Sequence, residues 1–189
     1  MLGEFLKAVM ILNFYLFHDN FLIFKGEIYK MKNVKIIAIV VLVFIIAQLF
    51  SPKKNSGDIE TVDFFLNETD PPEDVQVILK NTCFDCHSDH TVYPWYNTIT
   101  PLNFWISEHI NEGKKHFNMS QSQWSTASLK KKDHKFDELI EMIDTKEMPL
   151  KSYTWTHTEA NLTDLQRQKI KAWAQKVRES YAAMTLTTN

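Results

Sequence analysis

The sequence is poor in cysteine and glycine, with two of the first and four of the second in 189 residues. Two cysteines cannot build a disulfide-dense scaffold. Charge bias is also missing: 21 basic and 23 acidic side chains give a formal net charge of −2, which leaves no basic footprint for nucleic acid. No alternating strand of useful length and no internal repeat occurs. The 44% apolar content excludes a low-complexity or strongly charged disordered chain. The charge that exists is unevenly placed. Lys7, Lys25, Lys30, Lys32 and Lys35 stand against Glu4, Asp19 and Glu27 in residues 1–50, leaving 16 basic and 20 acidic residues beyond them. An apolar, slightly basic front thus precedes a mildly acidic body of at most one modest domain.

The front has the layout of an export signal. Met31-Lys32-Asn33-Val34-Lys35 is a charged start, Ile36 to Ala47 an apolar run, and Ser51-Pro52-Lys53-Lys54 a polar break. The small residues that signal peptidase prefers do not follow, because Ala47 leads into Gln48-Leu49-Phe50. The pattern predicts an uncleaved signal anchor over 31–50, with Lys32 and Lys35 inside and the body outside. Its membrane part, 34–50, is at the short end of the ~17 to 25 residues needed to span a bilayer. The alternative is a buried core helix, which would need a larger protein to hide it. Met31 opening a complete signal predicts that residues 1–30 are an upstream mis-start; Lys25-Gly26-Glu27 back-translates to AAA-GGA-GAA, which resembles a bacterial ribosome-binding site. The other reading is an extra N-terminal segment, although Ala8 to Phe17 is broken by Asn13 and makes a poor span.

The body reads as all-α. Residues 51–69 read as a polar linker with one sticky spot, Val62 to Leu66. Asp70-Pro71-Pro72-Glu73 offers an N-cap, a proline and an acid before a stripe of Val75, Ile78 and Leu79. Thr100-Pro101 opens a second helix with Leu102, Trp105, Ile106 and His109 on one stripe, and Gly113 is expected to stop it. Phe136, Leu139, Ile140 and Ile143 mark a third. Thr163-Asp164-Leu165-Gln166 is a capping box for the last, striped by Ile170, Trp173, Ala174, Val177 and Tyr181. The expected domain is 70–183.

The chemistry lies at the end of the first of these helices, in Cys83-Phe84-Asp85-Cys86-His87. Two thiols spaced by two residues can add to the two vinyl groups of haem while the adjacent histidine reaches the iron. Other chemistries use the same residues. A redox dithiol expects a strand-to-helix setting in a βαβ fold. A zinc site would combine Cys83, Cys86, His87 and His90 within eight residues, without a second well-spaced ligand pair. A structural disulfide here would be small and strained.

At these residues a family likeness appears. The CxxCH after a helix, a later Met-Pro and an aromatic on the last helix are similar to a small class I cytochrome c. More closely, Asn81 to Ser88, Tyr93-Pro94-Trp95-Tyr96, Glu147-Met148-Pro149 and Lys171-Ala172-Trp173-Ala174 resemble the bacterial single-haem "haem-binding domain" proteins, typically membrane-anchored, over about residues 70–180. The resemblance implies haem binding. The scarcity of glycine and the aromatic loop after the motif depart from ordinary cytochromes c.

The expected site is one covalent haem c on Cys83 and Cys86, with His87 proximal and Met148 as distal iron ligand, His157 being the alternative. Met142 reads as core, Met119 as a polar-loop residue, His109 as a buried hydrogen-bonded histidine, and His90, His116 and His134 as surface. Trp95, Tyr96, Trp105 and Trp173 are expected as haem wall, with the haem forming the core of the domain, and the carbonyl of Pro94 is a candidate acceptor for the His87 ring. Lys130-Lys131-Lys132 with Lys114 and Lys115 read either as a docking patch for an acidic redox partner or as a plain solvated helix entrance. Function then divides between a membrane-anchored electron carrier facing the periplasm from the bacterial inner membrane and a haem-based sensor with a labile distal site. A peroxidase-like enzyme lacks a distal His-Arg pair.

Overall fold

The computed structural model describes residues 33–187. The expectations for residues 1–30, and for Lys32 as the charged flank of an anchor, lie outside them. The chain divides into two compact units, Met1–Phe50 and Ser51–Asn189. In the first, helix α1 covers 33–47 and a turn follows, with Gln48 donating its Nε2 hydrogen to the Phe44 carbonyl at 2.9 Å. Its apolar side chains from Val34 to Ile46 are exposed, so it is not a buried core helix. Fifteen residues of helix rise about 22 Å, against a hydrocarbon core of about 30 Å. Among the described residues no helix is long and apolar enough to cross a membrane.

The second unit is all-helical among the described residues, apart from one isolated bridge between Ser56 and His90. Its helices are α2 (Asp63–Thr69), α3 (Glu73–Thr82), α4 (Phe84–His87), α5 (Leu102–His116), α6 (Gln121–Trp124), α7 (Leu129–Asp144), α8 (Lys151–Thr154) and α9 (Asp164–Thr187). Short 3-10 turns precede α2, α5 and α9. Helices α7 and α9 form the longest packed pair, and their predicted stripes are the buried faces: Phe136, Leu139 and Ile143 meet Ile170, Trp173, Val177 and Tyr181. The capping box forms as read, with Thr163 N donating to Gln166 Oε1 at 2.9 Å and Gln166 N to Thr163 Oγ1 at 3.2 Å. Arg178 on α9 pairs with Asp133 and Asp137 on α7 across the outer edge.

The core is aromatic and built around the segment expected to be a linker. Phe65 of α2 is fully buried and makes ring contacts with Phe117, Trp124, Phe136 and Trp173 at 5.0 to 6.2 Å. Residues 51–69 therefore belong to the domain. Asn55 is laced to the loop after the CxxCH motif: its backbone N donates to Tyr93 Oη at 2.7 Å and its amide to Ser88 O and Thr91 Oγ1 at 2.9 Å. Asp70 does not cap α3; it closes α2 in the left-handed region at φ 39°, and Pro72 stands at the N-cap of α3. Gly113 does not stop α5 either, for the helix runs to His116. Glycine is needed there because a Cβ would sit 2.6 Å from the Cys86 carbonyl oxygen. It lets α4 lie flush on α5.

Candidate functional site

Cys83 ends α3, donating its N–H to Leu79 O at 2.9 Å, and its own carbonyl accepts from the N–H of Cys86 at 3.2 Å and of His87 at 2.9 Å. This single turn sets Cys83, Cys86 and His87 at i, i+3 and i+4 on one face. Phe84 is driven the other way, into the core. The segment after α5 then grips the histidine twice. His87 Nδ1 lies 2.8 Å from the Phe117 carbonyl, and the His87 carbonyl accepts from Met119 N at 2.8 Å. Phe117, not Pro94, is thus the partner of the ring. With Nδ1 as donor, Nε2 keeps its lone pair. Burial holds the imidazole pKa below its ordinary value, with the Phe117 carbonyl opposing, so the ring is neutral.

This face opens on a cavity of about 650 Å³, within the range of cofactor sites. Cys83, Cys86 and His87 form one wall. Glu108, His109, Glu112, Gly113 and His116 of α5 form a second, and Leu139, Met142 and Ile143 of α7 a third. Met148, Pro149, Leu150 and Tyr153 close it from the loop after α7. That loop is held by Arg167, whose Nη1 donates to Met148 O at 2.8 Å and Ile143 O at 3.0 Å, while Met148 N donates to Met142 O at 3.1 Å. Tyr153 Oη donates to Asp85 Oδ2 at 2.8 Å, which ties the loop back to the motif. Burial and the Asp85 carboxylate keep that phenol well above its usual pKa.

The donor set fits haem and fits the rivals poorly. Both thiols are unpaired, and burial pushes them up to about 12, so they are not the low-pKa thiolates of a redox dithiol. His90 turns its Nδ1 to the Gly57 carbonyl at 2.7 Å. Among the described residues no group of three or more His, Cys, Asp or Glu side chains is gathered to hold a metal ion. Two thiols and a neutral imidazole in one apolar cavity are what haem attachment requires.

A family described as the haem-binding domain has a sequence model that matches residues 42–176. The chain belongs to this family. Haem is its cofactor, and the matched stretch contains every residue that lines the cavity. No curated protein and no solved structure matches the chain.

Several expected wall residues of this haem-binding domain lie elsewhere. Trp173 is buried against Phe65 and Phe136, with its indole N–H donated to Thr69 O at 2.9 Å, so it belongs to the protein core. Trp95 is 78% exposed. Trp105, Tyr96 and His157 border an adjoining cavity of about 70 Å³ that shares Cys86, His109, Leu150 and Tyr153 with the large one, and His157 stacks on Tyr153 at 4.0 Å. His157 therefore does not line the large cavity. The lysine patch is broken up: Lys132 is buried on Glu68 at 2.7 Å, Lys114 pairs with Asp89 and Lys115 with Glu112. Sequence reasoning missed Phe117, Met119, Met142, Tyr153 and the four glutamates, Glu108, Glu112, Glu138 and Glu141. The i, i+4 pair Glu108 and Glu112 and the i, i+3 pair Glu138 and Glu141 carried a signal of a shared face.

Proposed function

We propose that the chain is a membrane-anchored monohaem c-type cytochrome. One haem would be held covalently by Cys83 and Cys86, with His87 and Met148 as the residues that would bind its iron, and it would carry electrons on the periplasmic side of the bacterial inner membrane. The observation that carries this reading is the convergence of both thiols, His87 and Met148 on one apolar cavity. When bound, the haem supplies a one-electron ferric–ferrous couple. The Phe117 carbonyl fixes the tautomer and orientation of His87 and raises its basicity. Arg167 holds the backbone of Met148, whose soft, neutral thioether favours ferrous iron. Leu139, Ile143 and Leu150 keep water from the centre. Among the described residues no arginine lines the cavity to act with a histidine on a peroxide, which favours a carrier over an enzyme. On the rim Glu112 pairs with Lys115 and Glu138 with Lys135, which leaves Glu108 and Glu141 as the acidic feature that a redox partner with a basic face would meet.

Anchoring is supported by the uncharged stretch 36–50, apolar but for Gln48, whose large side chains are exposed along α1. A denaturing gel stained for haem is expected to be positive, and Cys83→Ala with Cys86→Ala to remove the stain. Haem extracted by acid acetone would overturn covalent attachment. Oxidised and reduced spectra with and without carbon monoxide test the carrier. Rapid binding of carbon monoxide by the unaltered protein would instead put the sensor reading first, which the second thioether in the same wall, Met142, makes chemically accessible.

A further inference from the structure

Five large apolar side chains of the second unit lie exposed around one small cavity: Val92, Trp95, Leu102, Trp105 and Trp155. They belong together. Val92 and Trp105 border the small cavity with Tyr96, the Trp95 ring lies 5.7 Å from that of Tyr96, and Tyr96 Oη meets Thr156, next to Trp155, at 2.7 Å. Leu102 is one helical turn before Trp105 on α5. The protein chain enters the domain at the same place. Ser51 Oγ sits 3.5 Å from Asn103 Nδ2, between Leu102 and Phe104. The following residues are fastened down by the Asn55 hydrogen bonds and by Gly57 N donating to Asp89 O at 2.7 Å. Ser51 is one peptide bond from Phe50, where the uncharged stretch ends, so the chain enters the domain beside the first turn of α5, the turn that carries Leu102 and Trp105.

We propose that this face rests on the lipid bilayer, with its tryptophans at headgroup level. The inference rests on the membrane-anchor reading above. Trp and Tyr, each with an apolar ring and a polar tip, are the side chains that settle at a membrane interface. The exposed Lys53 and Lys54 at the chain entry match anionic headgroups. Of the acidic rim, Glu108 and Glu112 lie about 9 and 15 Å along α5 from Leu102. The bilayer thus takes the aromatic end, and the cavity rim stays open to soluble partners.

The test uses the complete haem-loaded chain in vesicles of phosphatidylcholine and phosphatidylglycerol, with and without bromine on the upper acyl carbons, which quenches nearby indoles. Trp124 and Trp173 are buried and supply the background. Bromine is expected to remove a large part of the tryptophan emission. Trp95→Ser with Trp155→Ser is expected to abolish most of that loss, as is Trp95→Phe with Trp155→Phe, which keeps the apolar surface and guards against a folding artefact. A chain that sediments with vesicles but shows no bromine effect keeps its anchor and overturns the docking face. If its indoles are then also shielded from aqueous acrylamide, a protein partner or second copy covers the face, and the proposal is overturned as well. A chain that does not sediment with vesicles overturns both readings.

Discussion

Two methionines of the cavity wall differ in how the chain holds them. Met148 sits in a loop clamped by Arg167, while Met142 projects from α7 one position before the core residue Ile143. If Met148 is the distal ligand, Met148→Ala should lower the reduction potential, open the iron to carbon monoxide and remove the long-wavelength charge-transfer band of Met-bound ferric haem. Met142→Ala should mainly cost packing, at the lower end of about 2 to 5 kcal/mol because Met142 is only half-buried. An unchanged spectrum in the first variant with a changed one in the second would exchange their roles. A different residue carries stability without touching the site. Glu68 accepts from Lys132 Nζ at 2.7 and 2.9 Å and from Tyr181 Oη at 2.6 Å, and Lys132 is almost fully buried. Glu68→Ala leaves that ammonium unpaired and should cost about 3 to 5 kcal/mol in denaturant unfolding. The haem spectrum of the folded fraction should stay as it was.

At the scale of elements, α4 and α5 meet where Gly113 faces Cys86. Gly113→Ala brings two opposed effects: alanine gains about 1 kcal/mol of helix propensity, but its Cβ meets a backbone oxygen at 2.6 Å, and overpacking of this kind costs about 1 to 3 kcal/mol. The clash involves backbone that cannot rotate away, so net destabilisation and weaker haem incorporation are expected; a melting temperature at or above that of the parent would refute the close-contact argument. Helices α3, α7 and α9 were legible because their apolar stripes repeat at helical spacing, with α3 opening on proline and α9 on a capping box. Helix α2 was not. Its seven residues carry no repeat, and what orders them is the burial of Phe65 among four distant rings. The same limit applied to the site. Cys83, Cys86 and His87 are local in sequence and readable. Phe117 reaches His87 across 30 residues, and the stripe carrying Trp173 gave no sign that it faces protein and not cofactor.

The whole second unit has two apolar interiors: the ring cluster around Phe65, Phe136, Trp173 and Tyr181, and the cavity of about 650 Å³ beside it. The expectation that the haem is itself the core does not match this division, and the difference is measurable. A chain with its core made only by the cofactor collapses to a loosely packed state when the cofactor is withheld, with helix retained and tertiary order lost. Here α7 and α9 close on each other without help from the cavity, and α2 is pinned between them and Phe117 by side chains alone. Cys83→Ala with Cys86→Ala, purified without haem, should therefore keep most of its far-ultraviolet helix signal and the near-ultraviolet bands of Trp124 and Trp173. It should melt in one cooperative transition at a lower temperature than the holoprotein, because a ligand that binds only the folded state adds to its stability. The loss should fall in hydrogen exchange on α4, on α8 and on the segment around Met148, whose buried surface faces the cavity, and spare α7 and α9. A non-cooperative melt with strong dye binding would show that the cofactor, and not the aromatic cluster, holds the domain together.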